Sequence, residues 1–144
     1  MPASSTIPYS LITVTHLAYF QAAPTVDTMA AMERLLGYCA KHPNASQVIH
    51  PSPMLLMVFS DASFLNSGST IGGIHTLSDH SPDKLNASVH AESSGIPVIV
   101  NSAGEAELAS AFANAKIAHD ERTILRNLGY PQPPTLFTAT MNAL

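Results

Sequence analysis

Residues 54–59, Met-Leu-Leu-Met-Val-Phe, form an unbroken apolar run that ends on Ser60 and Asp61. A run of this kind is long enough to pass through a core as a strand, here over 54–60, with Ser60 and Asp61 where it emerges. Ser and Asp also end strands as ordinary turn residues, so Asp61 has two readings, turn former or functional carboxylate, until a partner for it is found.

The rest of the chain is in keeping with such a core. Its 144 residues are 46% hydrophobic and only 11% charged, which suits one compact domain far better than a disordered chain. Six basic residues against ten acidic ones, a net charge of -4, argue against a broad electrostatic grip on nucleic acid, although a local patch stays open. The basic residues Arg34, Lys41, Lys84, Lys116, Arg122 and Arg126 are also scattered along the sequence. Cys39 is the single cysteine; it permits no intrachain disulfide and is expected to be a buried small hydrophobe. No basic leader with an apolar core opens the sequence, and no apolar stretch is long enough for a membrane helix. The expectation is a soluble intracellular protein, cytoplasmic or nuclear. Charged residues this sparse imply a surface partly covered by another subunit.

Residues 9–21 fit either a helical face or a strand, and their length favours a helix. Pro24 and Thr25 open a second helix whose face carries Met29, Met32, Leu35, Leu36 and Cys39, read as core filling, and Pro43 stops it. Three prolines in 42–53 lead into the strand at 54–60. A loop at 66–69 precedes a second strand, 70–78, antiparallel to the first, in which Gly72 and Gly73 allow a close backbone approach or a bulge. After a polar loop come a third strand at 87–93 and the short run 95–100, whose Pro97 suggests an edge or irregular crossing. Ser102 and Glu105 stand at capping-box spacing at the start of a helix over 102–119, and a further helix follows to Leu128 before Gly129 and Pro131. Residues 135–139 form the last strand. This order predicts an α/β arrangement of α+β type around one mixed sheet.

Glu105 and Glu107 lie about 200° apart around the helix, so only one can face a given site. Ala106, Ala109, Ala113 and Ile117 offer the packing stripe. His90 and Glu92 share a strand face, and His75, Asp79 and His80 cluster near a strand end. Neither has the spacing of a recognised zinc motif, and these histidines are read as surface residues.

The blocks SDASFLNSGSTIGGIHTLSD and VNSAGEAELASAFANAKIAHDERTILRNLGYPQPPTLFTATMNAL resemble the ribonuclease H domain at the carboxyl end of Ty1/copia-type retrotransposon reverse transcriptases. There an SDAS or SDAD strand end is followed by SSAAEAE or SSTEAEY and then TDN. The stretch AAPTVDTMAAMERLLGYCAKHP resembles the segment leading into that domain, so 1–53 is expected to be a helical lead-in. Residues 54–144 are then a partial ribonuclease H-like domain that forms one compact unit with it. The likeness runs from about Leu17 to Leu144 and implies three antiparallel strands, a helix, and a fourth strand parallel to the first.

The resemblance also implies a site. Family carboxylates at the end of the first strand, in the first helix, at the end of the fourth strand and further on hold two divalent ions, which activate water and stabilise the charge on a scissile phosphate. Asp61 matches the first and Glu107 the second, leaving Glu105 as the helix cap; Ala139 stands where the third acid is expected. No Asp or Glu follows Glu121. With this set incomplete, Asp61 and Glu107 are read as vestigial catalytic and metal ligands. No cofactor is then expected, and Mg or Mn enters only if the residual site is competent. An engineered alanine or truncation and natural decay both account for the loss, and the altered Thr140 and Met141 and the missing lysines before SAGEAE favour decay.

Three functions follow. The first is a non-catalytic structural module that associates as a homodimer or higher oligomer. The alternatives are a residual Mg-dependent endonuclease acting on the RNA strand of RNA-DNA hybrids, and a non-catalytic nucleic-acid binding module. Self-association is further expected because the sequence stops just after the strand that pairs with the first, leaving sheet surface to cover.

Overall fold

The computed structural model describes residues 7–64, 68–81 and 86–139. Asn66 and Ser67 of the first loop, Lys84 of the polar loop, and Thr140, Met141 and Leu144 lie outside the described residues. The chain divides into two compact units, Met1–Val48 and Ile49–Leu144, with the boundary inside the proline-rich stretch 42–53.

The first unit contains α1 (Ile7–Tyr19) and α2 (Val26–Lys41). The segment that suited either structure is thus a helix. Thr25 caps α2: its Oγ1 accepts the Thr28 N–H at 3.2 Å, and Thr28 Oγ1 accepts the Thr25 N–H at 2.8 Å. This reciprocal pair satisfies two backbone donors that the first turn leaves free. The expected core face of α2 is not buried. Met29, Met32 and Leu36 are exposed, as is Cys39, and no residue of the helix is fully buried. Periodicity reveals that an apolar face exists, but not what lies against it.

The second unit is a four-stranded sheet with one long helix. Its elements are β1 (Leu55–Ser63), β2 (Thr70–Ser78), β3 (Ser88–Gly95), α3 (Ala103–Asn127) and β4 (Leu136–Ala139). The strand order is β3-β2-β1-β4, with β1 antiparallel to β2, β2 antiparallel to β3, and β4 parallel to β1. This is the expected ribonuclease H-like topology. Three local expectations change. Strand β1 continues past the apolar run to Ser63, so Asp61 is paired with Gly72 inside the strand and is not at its end. The run after Gly95 forms no strand among the described residues, because Pro97 cannot donate to a ladder, and Val98 and Ile99 are exposed. The two helices expected at 102–128 are one, since nothing between His119 and Asp120 breaks the backbone pattern.

Both ends of α3 are closed by its own sequence. Ser102 Oγ accepts the Glu105 N–H at 3.1 Å, while the Glu105 carboxylate accepts the Asn101 N–H at 2.7 Å. Glu105 therefore caps the helix, reaching one residue further back than a capping box does. At the other end Gly129 adopts φ +89°, and the N–H groups of Gly129 and Tyr130 donate to the Arg126 and Leu125 carbonyls. That pattern is the Schellman closure, which favours glycine at the left-handed position.

Helix α3 packs on β1 and β2. Leu56 and Val58 meet Ala118 and Leu125, with Met54, Leu77 and Phe137 around them. The linker to β4 is tied to the start of β1 by Gln132, which accepts the Leu56 N–H at 3.0 Å and donates to the Met54 carbonyl at 2.9 Å. Arg122 of α3 holds the same linker, donating to the Gln132 and Pro133 carbonyls and to Thr135 Oγ1. A parallel β4 thus follows α3 directly, without a second crossover helix.

Candidate functional site

Strand register lays the residues of interest out in rows. Phe137, Val58, His75 and His90 form one row across the sheet, and Ala139, Ser60, Gly73 and Glu92, two residues further along β1, form the next row on the same face. Ala139, the position read as a lost acid, is therefore the register partner of Ser60, the residue before Asp61.

Asp61 is exposed, and its backbone carbonyl accepts a 2.5 Å hydrogen bond from Ser110 Oγ. Glu107 lies one turn before Ser110 on α3 and is half-buried. Its Oε2 is shut off from solvent with no hydrogen-bond partner among the described residues. Burial, and then the negative charge of Asp61, raise the Glu107 carboxyl above its ordinary 4.5. Like charges resist ionising together, so the pair interacts as two acids at one end of the helix-sheet contact do.

A polar cluster fills the middle of that contact. The side of α3 facing the sheet carries Ala106, Ser110, Asn114, Ala118 and Leu125, all buried, and not the stripe of Ala109, Ala113 and Ile117. Asn114 Nδ2 donates to the Gly72 carbonyl at 3.0 Å and the Ser110 carbonyl at 2.9 Å, and lies 3.2 Å from Ser60 Oγ. Ser60 Oγ and Ser110 Oγ are 3.1 Å apart. The amide oxygen of Asn114 then faces His75 Nε2 at 3.1 Å, and His75 Nδ1 meets Glu121 Oε2 at 2.5 Å.

His75 is 0% exposed, not a surface histidine. Burial alone would disfavour its charge, but the hydrogen bonds to Glu121 and Asn114 and the charges of Glu121 and Glu92 together hold it above its ordinary 6.5. His90 packs its ring edge-on against His75 at 5.1 Å and sits 3.9 Å from Glu92. His80 is half-buried and donates from Nε2 to the Leu56 carbonyl at 3.0 Å. Both His75 and His80 therefore act inside the fold. The one trace of this cluster in the sequence is Gly73, whose missing side chain leaves room for Asn114 of α3; Ser110 and Asn114 carry no local signal of their own. The close approach expected of the glycines is real, whereas the bulge lies between His75 and Thr76.

Comparison of the chain with protein-family models, curated proteins and solved structures gave no match in any of the three. What the chain shares with ribonuclease H-like domains is its sheet topology. Among the described residues, no group of three or more His, Cys, Asp or Glu side chains is placed to hold a metal ion. Asp61 and Glu107 alone give too few oxygens for the two magnesium ions of a ribonuclease H site, which needs six-fold oxygen coordination at each. The residues present do not fit that pair. No helix among the described residues is long and apolar enough to cross a membrane.

Proposed function

We propose that this chain is a non-catalytic ribonuclease H-like domain of the retrotransposon reverse transcriptase type, kept as a structural, self-associating module. The observation that carries the reading is the composition of the chain around β4. Ala139 ends that strand beside Ser60, and no Asp or Glu occurs between Arg122 and Leu144. A two-ion phosphodiester hydrolysis needs a carboxylate from this side of the sheet in addition to Asp61 and Glu107. The interior beside these acids is instead committed to hydrogen bonds among Ser60, Ser110, Asn114 and His75, groups that hold the helix to the sheet.

Self-association has its own support. Leu108 and Phe112, on the side of α3 away from the sheet, are 71% and 66% exposed, and charged residues make up only 11% of the chain. Light scattering at micromolar concentration should give a dimer or larger species; a monomer there overturns this half of the reading.

The catalytic half is tested with an RNA-DNA hybrid and magnesium or manganese. The hybrid should remain intact, and Ala139→Asp should restore little cleavage. Efficient cleavage by the unaltered chain that disappears in Asp61→Asn would establish the residual endonuclease instead.

A further inference from the structure

We propose that His75 is a proton-operated latch between β2 and α3, closed as an imidazolium and released when it loses its proton. The orientation of the Asn114 amide is fixed. Its Nδ2 faces the carbonyls of Gly72 and Ser110, which only accept hydrogen bonds, so the amide cannot turn over without setting oxygen against oxygen. Its Oδ1 is thereby committed to His75, and Nε2 of the ring must carry a hydrogen. The other ring nitrogen, Nδ1, meets Glu121 Oε2, and an ionised carboxylate there only accepts, so Nδ1 opposite it carries a hydrogen too. A ring with two N–H groups is the cation.

Neutral imidazole has one N–H and one lone pair. Deprotonation therefore turns a lone pair towards either Asn114 Oδ1 or the Glu121 carboxylate, in a place where His75 is wholly shielded from water. Rotating the ring offers no relief, because both partners lie on α3 and both are acceptors. The groups that face the ring are Glu121 and Asn114 from α3, His90 and Glu92 from β3, and Val58 from β1. Glu121 is 21% exposed, which gives the proton its way out. The latch joins the middle of β2 to α3 near its midpoint, at Asn114, and in its second half, at Glu121, so its release loosens the helix-sheet contact from within.

The sign follows from linkage. A histidine held above its ordinary 6.5 binds a proton in the folded chain that the unfolded chain has lost. Its contribution is complete below 6.5 and is lost as pH rises through the folded-state value. Within that window the folding constant falls by up to about tenfold per pH unit.

Two measurements on the full chain test the proposal. Long-range nitrogen-proton NMR at about pH 7 should show protons on both ring nitrogens of His75, a charge state that an unpartnered histidine holds only in a minority there. Urea unfolding between about pH 6 and 9 should show the folding constant falling with rising pH, a slope that flattens in Glu121→Gln and persists in His90→Gln. A bare ring nitrogen on His75 at neutral pH overturns the latch. So does a slope unchanged by Glu121→Gln or abolished by His90→Gln.

Discussion

The amide oxygen of Asn114 occupies the space where a side chain on Gly73 would begin, 1.8 Å from an ideal Cβ. Helix α3 can come down on the sheet with a polar residue at its centre only because β2 has no side chain there. Gly73→Ala should push Asn114 away and break its bonds to Ser110 and His75. We expect a loss of about 1–3 kcal/mol, the usual cost of an inserted methyl in a packed interior, measured by urea unfolding. Gly72→Ala meets the Asp61 carbonyl at 3.3 Å and should cost less.

Glu107 supplies a titration that reports on Asp61. Its carboxyl is raised above 4.5 by burial first and by Asp61 second, so the folded chain keeps a proton that the unfolded chain releases. This contribution to stability is greatest in acid and declines as pH rises from 4.5 through the folded-state value. Carbon NMR of the Glu107 carboxyl should give a midpoint above 4.5 that moves down in Asp61→Asn. A midpoint indifferent to that substitution would separate the two acids.

Gln132 holds the linker that makes β4 parallel. Replacing it with leucine removes the amide and leaves the Leu56 N–H and the Met54 carbonyl without their partner. Each orphaned group costs roughly 1–3 kcal/mol when buried. Amide exchange at Leu56 should accelerate in Gln132→Leu more than exchange in the middle of α3 does.

Most of the architecture was legible because it is written in local terms. Thr70 to Ser78 reads as a strand and is one, Thr25 and Ser102 announce the helix starts, and Gly129 announces the stop. The parallel β4 came from the family resemblance, since nothing in Leu136 to Ala139 says which strand it joins. The polar interior was not legible. Ser110 and Asn114 look like solvated helix residues, and His75 finds Glu121 across 46 positions of sequence. Pairings of that range depend on how α3 lies on the sheet, which no local pattern encodes. The apolar face of α2 misled in the opposite sense, because Met29, Met32 and Leu36 are periodic yet exposed.

As a proposed remnant, Asp61 and Glu107 are unable to hold a pair of metal ions. Crystals of the full chain grown with millimolar manganese test this most directly, through anomalous scattering at the manganese edge. No manganese peak should be shared between the two carboxylates. Two peaks bridged by Asp61, at the separation of about 3.5–4 Å typical of two-metal sites, would contradict it and establish a working metal centre.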